Sequence, residues 1–388
     1  MIKIIKNGIV LKPNYVGKKD ILIAGNKIEA VDDSINLSGV KYEVIDAKRC
    51  YVIPGLIDSH VHICGGGGEG GYRTRTPEIM LTDITMAGVT TVIGVLGTDG
   101  TSRTMSNLLA KTYALNEEGI TAFAYTGSYQ IPVRTVTGNI TDDLILIEKI
   151  IGIGEIAVSD HRSSFPTVEE LTRIVSDVRI GGMLSGKAGI INLHLGDNKN
   201  PLEIIYELLK NSSIPITQFL PTHMNRNEWI IKDAIEFGRR GGYIDLTTST
   251  TPQFIEEGEV LCSKAIKILL ENGVDLNQIT ISSDAQGSLP VFDEMGKLKE
   301  LKVGKSSSII ECIRELCFNE NLELEKAIKV ATSNPAEILK LKSKGYIEIG
   351  YDADIVLLNK KDLEIDTVIA RGNIMVRNGK AVVKGTFE

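Results

Sequence analysis

The chain has little that would staple it covalently or carry it into a membrane. Its five cysteines, Cys50, Cys64, Cys262, Cys312 and Cys317, form no CxxC pair and are odd in number, which argues against a disulfide framework and for small buried hydrophobes. No apolar run approaches the roughly 20 residues of a membrane span. The opening MIKIIKNGIVLKPN is too short and too soon interrupted for a signal peptide, so the expected location is cytoplasmic. No block of one charge exists either: the net charge of -7 is spread along 388 residues. That speaks against a nucleic-acid or acidic-membrane surface and leaves small molecules as the expected partners. A phosphate-cradling loop is absent as well, because the GGGG at 65–68 lacks the GxxxxGK[ST] pattern. Histidine is scarce: only His60, His62, His161, His194 and His223 occur.

What is present is an ordinary globular balance, 43% apolar and 24% charged, long enough for one large domain and a smaller one. Both ends alternate short apolar runs with turn signals, as in DILIAGNKIEAV and, near the C-terminus, around Asn378-Gly379. Neither end can close a core alone, so a small β-sandwich domain assembled from 1–52 and 346–388 is expected. Between them β-rich runs alternate with helical patterns. VIPGLIDSHVH, GVTTVIGVLG, ITAFAYTGSYQ, IGEIAVSDHR, GIINLHLGD, TQFLPTHMN, GGYIDLTTS and ITISSDAQG make eight strands, the count of a (β/α)8 TIM barrel over 53–345, and the fold class is α/β.

All five histidines fall at or just beyond the C-terminal end of a proposed strand, the active-site face of such a barrel. Residues 60 and 62 lie two apart on one strand, so His60 and His62 point the same way. With His194, His223 and Asp284 they supply nitrogen and oxygen donors at one mouth, a set suited to divalent metal of the zinc type with room for two ions. A hydrogen-bonded role explains any one strand-end histidine but not their common placement.

The order HxH, a bridging residue on strand 4, His on strands 5 and 6, and Asp on strand 8, flanked by VIPGLIDSHVH and GYDADIVLLN, resembles the amidohydrolase superfamily of metal-dependent hydrolases. Within it, HVHICGGGGEGGYRTRTPE, GVLGTDGTSR, LNEEGITAFAYTGSY, SDHRS, LPTHMNRN and SSDAQGSLPVFDEMG are similar to the isoaspartyl (β-aspartyl) dipeptidases, end to end through VKGTFE. The resemblance implies hydrolysis of the β-aspartyl amide bond of isoAsp-Xaa dipeptides by a hydroxide held between two metal ions. His60 and His62 would bind the first ion, His194 and His223 the second, and Asp284 would touch the first and act as general base and acid. Glu69 matches the family's carboxylate for the substrate ammonium group; Gly67, Thr98, Tyr129, Arg162, Arg226 and Ser288 match its other substrate contacts. A symmetric homo-oligomer, such as an octamer, is implied on the same ground.

Chemistry supports those roles separately. An isoaspartyl dipeptide carries one ammonium and two carboxylates, which suit one carboxylate and guanidinium forks, and Glu69, Arg162 and Arg226 supply them. Tyr129 is placed to donate to a developing oxyanion. Arg162 keeps the alternative of a barrel salt-bridge partner, and Thr98 and Ser288 that of turn residues. His161, next to Arg162, faces the other way on a strand and reads as a residue behind the ligands or a structural one. One position departs from the family: where a carboxylated lysine is expected to bridge the metals stands Glu155, already a carboxylate but three side-chain atoms shorter. Gly152 and Gly154 would give its backbone freedom to come closer, and Lys149 is the nearest upstream lysine. Zinc is favoured over manganese or cobalt by the histidines. The competing readings are a dihydroorotase-like or hydantoinase-like hydrolase, which has no use for Glu69, and a non-catalytic scaffold, which would have lost its ligands.

Overall fold

The computed structural model describes residues 1–292 and 298–388, so the last four residues of SSDAQGSLPVFDEMG, 293–296, lie outside the described residues. The N-terminal segment supplies β1 (Ile2–Leu11), β2 (Tyr15–Ala24), β3 (Lys27–Asp32), β4 (Tyr42–Asp46) and β5 (Cys50–Pro54). Eight parallel strands come next: β6 (Leu56–Val61), β7 (Val89–Gly94), β8 (Thr121–Thr126), β9 (Ile150–Val158), β10 (Ile190–Leu195), β11 (Phe219–Thr222), β12 (Ile244–Thr247) and β13 (Ile279–Ser282). A hairpin, β14 (Ser288–Phe292) with β15 (Leu298–Val303), leaves the last of these. The chain ends in β16 (Ile355–Asn359), β17 (Ile365–Ala370), β18 (Asn373–Arg377) and β19 (Lys380–Ala381).

The eight central strands are buried at every residue but Phe123, as parallel strands covered on both faces must be. They curl into a partial barrel. β6 to β11 form one ladder in sequence order, and β12 pairs with β13 separately. The ring returns through the Val61–Ala285 bridge, with the Asp284 amide donating to the His60 carbonyl at 3.2 Å and the His62 amide to the Ala285 carbonyl at 2.9 Å. Across the interrupted seam between β11 and β12, side chains take over: Thr222 Oγ1 donates to Asp245 Oδ2 at 2.6 Å, and Thr247 N to Asn225 Oδ1 at 2.8 Å.

Helices cover the outside for local reasons. Val168–Ser185 starts at a capping box in which Thr167 and Glu170 satisfy each other's amides, turns Leu171, Val175 and Val178 inward, and stops at left-handed Gly186. Glu228–Arg239 is capped by Asn227 and buries Ile230, Ile231, Ala234 and Phe237.

Strands from the two ends of the chain join in one nine-stranded mixed sheet, with β5 of the N-terminal segment pairing β16 of the C-terminal one. Ile28 on β3 and Ile369 on β17 belong to the same buried cluster although five strand spacings separate them. A flat sheet would hold them roughly 24 Å apart at about 4.8 Å per strand, so the sheet curls over its own core. Lys344 ties this unit to the barrel: its buried ammonium donates to Asp354 Oδ2 and Thr121 Oγ1, both at 2.6 Å, and lies 2.9 Å from Asp352. Among the described residues no helix is long and apolar enough to cross a membrane.

Candidate metal centre and cavity

His60 and His62 sit at the end of β6 with their imidazoles 5.6 Å apart, both turned to the barrel mouth. His194 comes from β10 and His223 from the residue after β11. Glu155 reaches this cluster because β9 carries an extra residue: Ile153 pairs with Ile191 and Ile156 with Leu193, leaving Gly154 and Glu155 opposite Asn192 alone. Such a bulge re-aims a side chain. It brings the Glu155 carboxylate to 3.4 Å from His60 and His62, 3.0 Å from His194 and 3.7 Å from His223. The result is two adjacent triads, His60-His62-Glu155 and Glu155-His194-His223, sharing one carboxylate. Asp284 Oδ1 lies 3.0 Å from His62 Nε2. Close packing leaves no side chain at Gly97, where a Cβ would sit 2.8 Å from His62 Cε1.

The donor set fits divalent metal on its hydrogen bonding. Asn192 donates its amide to the Leu220 carbonyl, so its Oδ1 faces His60 and requires a proton on Nδ1, 3.0 Å away. His60 Nε2 is then a lone pair turned toward Glu155 and Asp284. His60 Nε2 and Glu155 Oε1 are buried without a hydrogen-bond partner. Acceptors facing acceptors require a cation between them. His223 is oriented similarly, with Nδ1 2.6 Å from Thr247 Oγ1. The carboxylates draw positive charge to the same spot: burial pulls the His60 imidazolium down, yet Glu155 and Asp284 hold it up at about 10, so a proton competes with a metal ion for Nε2. Burial, joined by the His194 charge, pushes His223 down to about 3. His223 is therefore neutral at pH 7, the state in which an imidazole can bind metal.

Around the cluster opens a cavity of about 630 Å³. At one end Glu69 receives Thr98 Oγ1 at 3.0 Å, Arg162 Nη1 at 3.3 Å and Ser288 Oγ at 3.4 Å. Gly67 lines the same end with a positive φ of 69°, and a Cβ there would fall 2.7 Å from the Thr74 carbonyl. Tyr129 is buried beside the second triad, its hydroxyl 2.8 Å from His194 Nδ1. Burial and the nearby Glu155 charge raise that phenol well above its ordinary range, so it remains a donor. Arg226 donates to the Leu195 carbonyl at 3.0 Å and approaches Asp160 and Asp197 only to 4.0 Å. Arg162 is more committed: its Nε and Nη2 grip Asp160 at 2.9 and 2.8 Å, leaving Nη1 for Glu69. Arg162 is therefore a salt-bridge partner that also lines the cavity.

Several groups at the site escape a reading of the sequence. Asp160, buried next to His161 in SDHRS, receives the Arg162 fork and lies 3.1 Å from His194 Nε2. Arg103, the last residue of GVLGTDGTSR, is buried and donates to the carbonyls of Cys64, Gly66, Gly67 and Thr76 at 2.8–3.3 Å, clamping the loop that carries Glu69. His161 itself is 88% exposed at the cavity rim. Cys64 is buried and its thiol is pushed up to about 12 by that burial, which makes it unreactive. Lys149 precedes β9, pairing with Glu148 and the Phe123 ring, at the strand end opposite the histidines.

A crystal structure of the β-aspartyl dipeptidase of keratin-degrading Fervidobacterium islandicum AW-1, in complex with β-Asp-Leu dipeptide, is 46% identical to this chain. The match covers 98% of this chain and 97% of that one, with a TM-score of 0.92. The chain belongs to the β-aspartyl dipeptidase family of amidohydrolases. The amidohydrolase family pattern itself matches residues 202–375. Adenine deaminase 1 of Latilactobacillus sakei is 23% identical over 97% of the chain, which spans only 58% of that relative's length. Dihydropyrimidinase from Brevibacillus agri NCHU1002, at 18% identity and a TM-score of 0.69, shares the fold.

Proposed function

We propose that this chain hydrolyses the β-amide bond of isoaspartyl dipeptides, using two divalent ions, zinc for preference, held by the two triads that share Glu155. The observation that carries the reading is Glu69, an acidic group held by three donors in a cavity that Arg226 also lines. A substrate with both an ammonium group and a carboxylate suits that pair of charges, whereas a cyclic amide has nothing for Glu69 to bind.

The residues divide the work by charge. Ions bound at the triads supply Lewis acidity to polarise the scissile carbonyl and acidify water near neutral pH. Burial pushes Asp284 up, but the hydrogen bond and charge of His62, with His223 and His60, outweigh it and hold the carboxyl at about 2. It is therefore an ionised base at neutral pH, able to take the proton of the attacking water and return it to the leaving amine. Tyr129 keeps its proton and donates to the oxygen of the tetrahedral species. Glu69 takes the substrate ammonium, with Gly67, Thr98, Ser288 and the Glu69-bound Nη1 of Arg162 around the isoaspartyl α-carboxylate. Arg226, whose fork is the less occupied of the two, takes the carboxylate of the second residue.

The test is hydrolysis of isoAsp-Leu, Asp-Leu and dihydroorotate by metal-reconstituted protein, with and without bicarbonate, alongside metals per chain. Cleavage of isoAsp-Leu alone, near two metals and indifferent to bicarbonate, is expected. Cleavage of dihydroorotate alone would transfer the site to cyclic amides. A homo-oligomer, up to an octamer, belongs to the same reading, and light scattering of the purified protein measures it.

A further inference from the structure

Of the acidic side chains of the cavity that have no part in that scheme, Glu259 is the one with a buried, unpartnered oxygen. Glu259 lies just beyond the short helix Pro252–Glu256 and lines the cavity together with Arg226, Trp229 and Phe254. Its segment is pinned in place. The Glu259 amide donates to the Phe254 carbonyl at 2.8 Å; Val260 N donates to the Asn225 carbonyl and Asn225 Nδ2 to the Val260 carbonyl, both at 2.9 Å. Asn225 in turn holds the Thr247 amide and carbonyl, so the segment is fixed against the ends of β11 and β12. Glu259 Oε1 is buried there and accepts no hydrogen bond. That oxygen lacks both water and a donor, and burial pushes the group up to about 7 despite a hydrogen bond from Thr250 and the charge of Arg226. It is a site short of a cation.

Trp229, at the start of helix Glu228–Arg239, and Phe254 line the same cavity. With Arg226 on the carboxylate of the second residue, that residue's side chain would share the cavity with both aromatic rings and with the Glu259 carboxylate. An aliphatic stem with a cationic head satisfies both.

We propose that Glu259 is a specificity-determining residue that selects isoaspartyl dipeptides whose second residue is lysine or arginine. This rests on the isoaspartyl reading above. It is tested with metal-reconstituted protein by comparing kcat/KM for isoAsp-Lys and isoAsp-norleucine, which share the stem and differ in the ammonium group, with isoAsp-Leu as reference. The wild type is expected to favour isoAsp-Lys over isoAsp-norleucine by roughly 10-fold or more, the discrimination that one charge-assisted hydrogen bond supplies. Glu259→Gln is expected to bring that ratio to about one. A wild-type ratio near one, or a preference that Glu259→Gln leaves intact, overturns the proposal while hydrolysis of isoAsp-norleucine and isoAsp-Leu keeps the isoaspartyl reading standing. Metal-loaded wild type that cleaves none of the three overturns both.

Discussion

Lysine at position 155, supplied with bicarbonate, tests how the bridge between the two triads is built. A carboxylated lysine would carry its carboxyl carbon three atoms farther from the backbone than glutamate does, about 4 Å of added reach at ~1.4 Å per bond. The structure has no room for it. The Glu155 oxygens already lie 3.0–3.7 Å from all four histidines. Behind them, a Cβ on Gly97 would be 3.4 Å from Glu155 Oε1. Forcing a longer side chain into such packing costs about 1–3 kcal/mol, and a carboxylate displaced by about 4 Å cannot face both histidine pairs. The Glu155→Lys protein is therefore expected to bind at most one metal per chain by plasma mass spectrometry, with or without bicarbonate. It should also melt below the wild type. Glu155→Gln, which keeps the shape and removes the charge, should lose metal without the packing penalty. A bicarbonate-dependent return to two metals per chain in Glu155→Lys would refute the reasoning, because strand β9 would then be setting nothing.

Two further perturbations concern buried cations. Arg103→Gln leaves the four carbonyls of the glycine loop without their shared donor, and steady-state kinetics on isoAsp-Leu should show KM raised roughly 10-fold or more at unchanged metal content; Arg103→Lys, a point charge in place of a fork, should recover only part. Lys344→Met strands Asp354 in the joint between sheet and barrel and should cost about 3–5 kcal/mol in urea unfolding. Burial pulls Lys344 down, but Asp354 and Asp352 hold it above its ordinary 10.5, so its contribution is whole below pH 10.5 and lost as pH rises beyond it. Asp352, raised by burial but lowered further by Lys344, acts with the opposite sign: its contribution stands above pH 3.8 and is lost as pH falls. Unfolding of wild type and variant across pH should converge at both extremes.

The histidines and Asp284 were legible because strand ends have a period: two residues apart on β6 means one face, and a residue closing each βα unit means one mouth. Arg103 was not legible, since its partners are carbonyls of a loop 27 or more residues away and backbone acceptors leave no trace in side-chain composition. Arg162 was half legible. A guanidinium beside an aspartate reads equally as a pair or as a substrate fork, and only the fixed loop after β9 shows that Nε and Nη2 take Asp160 while Nη1 is left for Glu69. The interrupted seam was hidden too, because β11 and β12 are apolar enough to read as ladder strands, while the bonds joining them run through Thr222, Asn225 and Asp245.

Glu155 shows why a substitution read from sequence needs a backbone to interpret it. Shortening the bridge by three atoms would leave a gap if β9 ran straight. The bulge at 154–155 closes it, and the bulge depends on glycine: a Cβ at Gly154 would lie 2.8 Å from the Cβ of Asn192. Asn192 is the residue whose carbonyl fixes the proton of His60 on Nδ1, so the glycine, the extra residue and the orientation of the first histidine are one mechanical unit. A side chain at 154 would push on Asn192 before it touched any ligand. The gain is chemical independence. A carboxylated lysine holds its negative charge only while carbon dioxide stays attached, whereas burial raises Glu155 but the His60 charge and the His194 hydrogen bond keep it ionised well below the ordinary carboxylate range. The bridging charge in this chain is therefore set by the fold alone.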